Sequence, residues 1–344
     1  MTPTQILEEL SILLPAGLSA YIHGATGIGK SSVMRQYCDL NELELKDVRA
    51  SQLDPVDARG VPIPDKEKRC TSWFPPDFLP RSGKGVLFLD ELNRANQDTQ
   101  SALYQLILDR QLGDYILPDG WEIVAAGNRD TDGCMVQPMS RALKNRFIHL
   151  EMETNYECWH QWALKKNINE RVIAFMKQSP QSLDEAENAT KDDKGDAQDK
   201  IRMMNAFATP RSWEFASDIL DQGQKVNRGV MDLFTVLSGA IGEPMATTFV
   251  AYCDIYLELQ DLDGIIADPS TFQKVTDPNK LYAICTGLAA RANKKTFGNI
   301  RKLLDKVPPE YALWTVDDCM TRNKAEIAVH PAYLDFVHKN IEFA

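Results

Sequence analysis

No stretch of this chain stays apolar long enough to cross a membrane. The longest candidate, residues 234–253, is broken by Glu243 and Pro244. The opening MTPTQILEEL has neither a basic nor an apolar signal region, so no secretory leader is expected. There is no CxxC and no Cys/His pair at metal-ligand spacing. The seven cysteines are odd in number and scattered, which argues against a disulfide framework or zinc module and for free thiols in a reducing cytoplasm. No internal repeat is visible, which excludes solenoid and propeller architectures. Positive charge is also short. Lys and Arg number 38 against 49 Asp and Glu, for a net charge of −11, so nucleic-acid phosphate is a poor main partner, although a local basic patch could hide in that total.

What is present is an ordinary soluble composition, 44% apolar and 25% charged. With 344 residues the chain exceeds one usual core, and two or three domains are expected. Thr2, Pro3 and Gln5 predict a capped helix start. A short strand over 19–22 follows, then a glycine-rich stretch, then a helix marked by Val33, Met34, Tyr37 and Leu40. Further strands are predicted at 85–89, 123–126 and 147–150, alternating with helical stretches. That order predicts a parallel α/β sheet, with ligands at the carboxyl ends of its strands. From about Tyr156 the pattern turns helical, with helix starts at Thr209-Pro210, Pro278 and Pro331. Residues 183–200 are acidic and almost devoid of apolar side chains, and read as a solvated, mobile loop.

The glycine-rich stretch is GATGIGKSS, residues 24–32, and it satisfies GxxxxGK[ST]. Its loop, Gly24, Ala25, Thr26, Gly27, Ile28 and Gly29, can turn its N–H groups toward one anion. The following helix aims its positive end at the same place. Lys30 would reach the β- and γ-phosphates, and Ser31, with Ser32 beside it, would meet Mg²⁺. The plain alternative is a turn that opens a helix. VLFLDELNRA, residues 86–95, weighs against that alternative: a buried strand ends in Asp90, suited to the metal, and Glu91, suited to polarising a water. Asn128 ends the next strand, where an amide can orient that water or simply fill a tight turn. Arg141 and Arg146 flank a strand start, as a basic turn or as an arginine lent to a neighbour's site. Arg211 lies near a helix N-terminus in the helical region, where it is a surface cation or a contact to the γ-phosphate. His23 flanks the loop and is given no role.

Together these motifs resemble the AAA+ ATPases and, within them, the MoxR family. GATGIGKSS is similar to Walker A, VLFLDELNRA to Walker B, AAGNRD to sensor 1, ALKNRF to the arginine-finger segment and ATPRSWE to sensor 2. SQLDPVDARGVPIPD and WFPPDFLP resemble the stretch holding that family's helix-2 insert. RQLGDYILPDGWEI resembles its hairpin before sensor 1, here expected to turn near residues 118–120. The resemblance covers residues 1 to about 225. It implies a P-loop parallel core over 1–152, a helical lid over 153–242 and a further helical region over 243–344. It also implies ATP and Mg²⁺ as cofactors, Glu91 as base, Asn128 as sensor 1, Arg146 as first and Arg141 as second choice of finger, and Arg211 as sensor 2. A cytoplasmic hexameric ring would remodel a protein client, with a von Willebrand factor A domain partner. The acidic insertion inside the lid and the motif-free last hundred or so residues depart from the family pattern. Two rivals remain: a nucleic-acid motor or loader, disfavoured by the acidic balance, and an ATP-gated scaffold with little turnover, disfavoured by the Asp90–Glu91 pair.

Overall fold

The first helix begins as its sequence requires. Thr2 caps it and accepts from the Gln5 amide, while the Gln5 side chain returns to the Thr2 amide, closing a capping box over α1, Pro3–Leu13. The computed structural model describes residues 1–67, 70–129, 137–185, 206–259 and 261–339. The chain folds as two compact units, Met1–Asn155 and Tyr156–Ala344. Most of the predicted acidic insertion, 186–200, lies outside the described residues.

Among the described residues the first unit holds nine strands: β1 Ala20–His23, β2 Glu44–Arg49, β3 Val61–Asp65, β4 Cys70–Phe74, β5 Gly85–Asp90, β6 Gln111–Leu112, β7 Tyr115–Ile116, β8 Trp121–Gly127 and β9 Ile148–Glu151. Five of them form one all-parallel sheet in the order β2-β5-β8-β1-β9. Their apolar runs have a direct cause. Val86 and Phe88 of β5, Val124 of β8 and Ile22 of β1 join a core with α1 and with α2, Lys30–Leu40. Leu87, Leu89, Ile123 and Tyr21 join a second core with α4, Gln97–Asp109. A strand buried on both faces has no polar side to show. The exceptions are the two edge strands, β9, where only Leu150 is buried, and β2, ELKDVR, whose only buried side chain is Val48. The polarity of β2 hides it from any reading based on apolar runs.

Two small antiparallel ribbons stand apart from this sheet. β3 pairs with β4, preceded by α3, Pro55–Arg59, which Asp54 and Asp57 cap as a box. β6 pairs with β7. The second ribbon corrects an expectation, because it turns at Gly113-Asp114 rather than at residues 118–120. Gly113 takes a left-handed φ of +57°, which a two-residue turn needs. Pro118, lacking an N–H, instead offers its carbonyl to the Trp121 amide at 3.0 Å and starts β8.

The second unit is helical throughout its described residues. One core gathers Phe175, Trp213 and Phe249, with ring centroids 5.3–5.5 Å apart. Another gathers residues between Leu262 and Phe336. The predicted starts at Thr209-Pro210, Pro278 and Pro331 open helices Pro210–Lys225, Pro278–Ala290 and Pro331–Lys339. A charged knot ties helices Tyr156–Lys165, Glu170–Gln178 and Pro309–Ile327. Asp318, 1% exposed, accepts from Lys177 Nζ at 3.1 Å and sits 2.9 Å from His160 Nε2. Lys177 also lies 3.4 Å from the centre of the Trp314 ring. Burial lowers the Lys177 pKa, and the Asp318 carboxylate opposes that shift.

Removing Asp318 strands a buried cation, and breaking such a pair costs about 3–5 kcal/mol. Asp318→Ala is therefore expected to lower denaturant stability by about that much, while Asp317→Ala, an exposed neighbour, changes it by less than about 0.5 kcal/mol. Equal effects of the two substitutions would show that the knot carries no special weight.

Candidate phosphate-binding site

β1 runs straight into the glycine loop, and α2 leaves it. The Gly24 amide donates to the Gly127 carbonyl at 3.2 Å, which locks the loop mouth to β8. A side chain at Gly24 would collide with Ile28 and press on the Met152 carbonyl, so this position needs glycine. Gly27 and Gly29 have φ of +83° and +100°. Gly29 is the N-cap of α2 and brings no capping side chain, so the positive end of that helix faces outward uncapped. Ala25 and Ile28 are buried and Thr26 is exposed, which leaves the loop backbone as its outward chemistry. Ser32 is exposed in the first turn of α2.

Lys30, only 9% exposed, folds over the loop. Its Nζ donates to the carbonyls of Gly24 at 2.8 Å and Ala25 at 3.0 Å, and to Asn128 Oδ1 at 3.1 Å. Ser31 Oγ donates to Asp90 Oδ2 at 2.8 Å. Asp90 ends β5, and its Oδ1 accepts the Glu91 amide at 2.9 Å. That bond accompanies a left-handed Glu91, φ +55°, which turns the chain sharply off the sheet. Glu91 Oε2 accepts from Ser51 Oγ at 2.6 Å, and Oε1 pairs with Arg94 Nη1 at 3.2 Å. The structure thus brings these residues to the carboxyl end of the sheet in two hydrogen-bonded sets, Lys30 with Asn128 and Ser31 with Asp90 and Glu91.

Around them are residues to which the motifs containing them gave no role. Ser51 follows β2, the polar edge strand that apolar patterning does not reveal. Asn93 donates from Nδ2 to the Asn128 carbonyl at 2.7 Å and packs where a side chain on Gly127 would go. Arg94, also within VLFLDELNRA, lines a cavity of about 440 Å³ with Arg49, Ser51, Gln52, Glu91 and Gln137. On β2, burial first and the Asp90 carboxylate second raise the Asp47 pKa, against Arg35 and Arg49.

The arginines stand apart. Arg141 opens the short helix α5, Arg141–Lys144, which Ser140 caps, and Arg146 follows it by two residues. Both are exposed, and neither forms an ion pair among the described residues. Arg211 is the second residue of helix Pro210–Lys225, in the other unit, and is exposed.

This strand–loop–helix, with its acidic strand end, decides the comparison with known families. Residues 20–147 match the AAA domain of the dynein-related subfamily. That match lies wholly within the first unit, where the P-loop joins β1 of the five-stranded parallel sheet to α2. No curated protein matches the chain. Among solved structures it is similar to a candidate ATPase from Cytophaga hutchinsonii, at 20% identity over 48% of this chain and 51% of that one, with a TM-score of 0.38. The chain thus spans about half the length of that protein. It is also similar to the RuvB Holliday junction branch migration motor of Thermotoga maritima, at 18% identity over 90% and 87% of the two chains, TM-score 0.38. A third is NtrX from Brucella abortus in complex with ATP, at 11% identity over 99% and 68%, TM-score 0.39.

Asn93 is 4% exposed and serves the carbonyl of Asn128. Asn93→Ala leaves that buried carbonyl without this donor, and a loss of about 1–3 kcal/mol is expected in thermal or denaturant unfolding. Unchanged stability would mean that the Asn93–Asn128 bond is dispensable.

Proposed function

We propose that this protein is an ATP-hydrolysing remodelling ATPase of the MoxR type, working as a ring, with a hexamer expected, on a protein client. The observation that supports it most is the meeting of Lys30, Ser31, Asp90, Glu91 and Asn128, in two hydrogen-bonded sets, beside an uncapped helix N-terminus. Those residues suit a nucleoside triphosphate and its metal. Loop amides and an ammonium meet phosphate oxygens, while a hydroxyl and a carboxylate meet Mg²⁺. When bound, Mg²⁺·ATP supplies the phosphoryl group and neutralises its charge.

The chain's own part follows from its chemistry. Lys30 now satisfies two loop carbonyls, and it would exchange them for phosphate oxygens. Ser31 and Asp90 would hold the metal. Glu91 would accept the proton of the attacking water, and Ser51 and Arg94 fix where its two oxygens point. Asn128 would help orient that water while steadying Lys30. Arg146, exposed and without an ion pair among the described residues, would complete a neighbour's site, with Arg141 as second choice. In this reading residues 1–152 are the core, 153–242 a lid whose Arg211 senses the γ-phosphate, and 243–344 an appended helical region. The β3–β4 and β6–β7 ribbons would move against the client, and a von Willebrand factor A domain protein is the expected partner.

A cytoplasmic site of action accords with two observations. Among the described residues no helix is long and apolar enough to cross a membrane, and six cysteines are free thiols. Burial pushes Cys38 up to about 11 and Cys285 up to about 12, so these thiols stay protonated.

Lys30→Ala is expected to weaken ATP binding measured by calorimetry. Glu91→Gln should bind ATP normally and lose about 10²–10⁴-fold in phosphate release. Wild-type turnover by Glu91→Gln would remove Glu91 as the base. Phosphate release by the wild type at no more than the protein-free background would favour the scaffold instead. Arg146→Ala should be inactive alone and recover activity when mixed with Glu91→Gln, because a mixed interface restores one complete site. Absence of recovery at every mixing ratio would refute the shared site.

A further inference from the structure

Two histidines lie between the phosphate loop and the arginine-bearing segment. His23 is the last residue of β1, directly before Gly24. His149 lies on β9, which pairs with β1 so that Tyr21 faces His149. His23 Nε2 and His149 Nδ1 are 2.8 Å apart, and His149 Nε2 is 2.8 Å from the Lys144 carbonyl at the end of α5. A carbonyl only accepts, so His149 Nε2 carries the proton. The second ring nitrogen of His149, Nδ1, shares its bond with His23 Nε2, so the two bonds form a chain from the loop strand to α5.

Arg146 lies two residues beyond that carbonyl and has no side-chain ion pair among the described residues. Its backbone is what holds it. Its amide donates to the Leu143 carbonyl at 3.1 Å, the Lys144 carbonyl is held by His149, and Phe147 is buried with its ring 5.5 Å from that of Tyr21. Tyr21 in turn lies 4.4 Å from His23, centroid to centroid. One end of the segment 144–147 thus packs on Tyr21 of β1, and the other is tied to β9 through His149, which His23 of β1 holds in turn.

We propose that His149, oriented by His23, is a positioning residue that sets Arg146 for the neighbouring subunit's site and couples that setting to the subunit's own phosphate loop. The inference rests on the shared-site reading above. It does not make either histidine catalytic, since neither is asked to touch the nucleotide. It assigns His23 the role that its place beside the loop left open, and it gives the ring a route by which one subunit's loop bears on the next subunit's turnover.

The test is ATP hydrolysis by His149→Ala and His149→Gln in the full chain. His149→Ala should keep KM for ATP within about twofold and lose about tenfold to a hundredfold in kcat, the scale of a misplaced reacting group. His149→Gln, which can present an N–H at the same reach, should recover most of that loss. Mixed with Glu91→Gln subunits, His149→Ala should recover activity as Arg146→Ala does; mixed with Arg146→Ala subunits it should not. Should His149→Ala fail to fold, His23→Ala keeps the Lys144 bond, removes only the orienting partner and should show a milder form of the same kcat loss. Wild-type kcat in both histidine variants would overturn the proposal. So would recovery of Arg146→Ala by Glu91→Gln without recovery of His149→Ala. If Arg146→Ala itself fails to recover, the shared-site reading falls, and this proposal with it.

Discussion

Everything at the site hangs on the parallel pairing of β1 between β8 and β9. It holds the mouth of the glycine loop against the Gly127 carbonyl and sets Lys30 within reach of Asn128. β5, on the far side of β8, then delivers Asp90 to Ser31. The three inner strands, buried on both faces, have no lateral place for polar chemistry. Their polar side chains collect where the strands end, and all five strands end on the same side.

At that edge each polar group answers another. Lys30 bonds to Asn128, whose carbonyl receives Asn93. Ser31 bonds to Asp90, which receives the amide of Glu91, and the Glu91 carboxylate is shared by Ser51 and Arg94. The network orders groups that would be costly to bury singly. It also draws in side chains from α2 and from the ends of β2, β5 and β8, which are far apart along the chain. The histidine pair extends the connection outward, from the loop strand to the segment before Arg146.

The second unit solves a different problem. Its helices bury two apolar cores and, with them, the Asp318 knot with Lys177 and His160. A buried ion pair is poor glue compared with apolar packing but penalises every arrangement that leaves one member alone. The knot links residues 141 and 158 positions apart, so it exists only in the assembled unit.

The local features were legible in the sequence because they are written in neighbouring residues. The Thr2–Gln5 cap, the helix start at Thr209-Pro210, the glycine loop and the apolar runs of β5 and β8 each need only a few consecutive side chains. The order of those elements was enough for a parallel P-loop core. Features that depend on distant partners were not legible. β2 is polar because it is an edge, the ribbon turns at Gly113 because Pro118 is taken up in starting β8, and Ser51 reaches Glu91 only once β2 lies against β5. Consecutive residues alone establish that a phosphate-type loop, a paired acid and a helical second region exist. Which side chains those groups touch is settled only by the assembled sheet, because a hydrogen bond acts over about 3 Å and residues far apart along the chain meet at that range nowhere else.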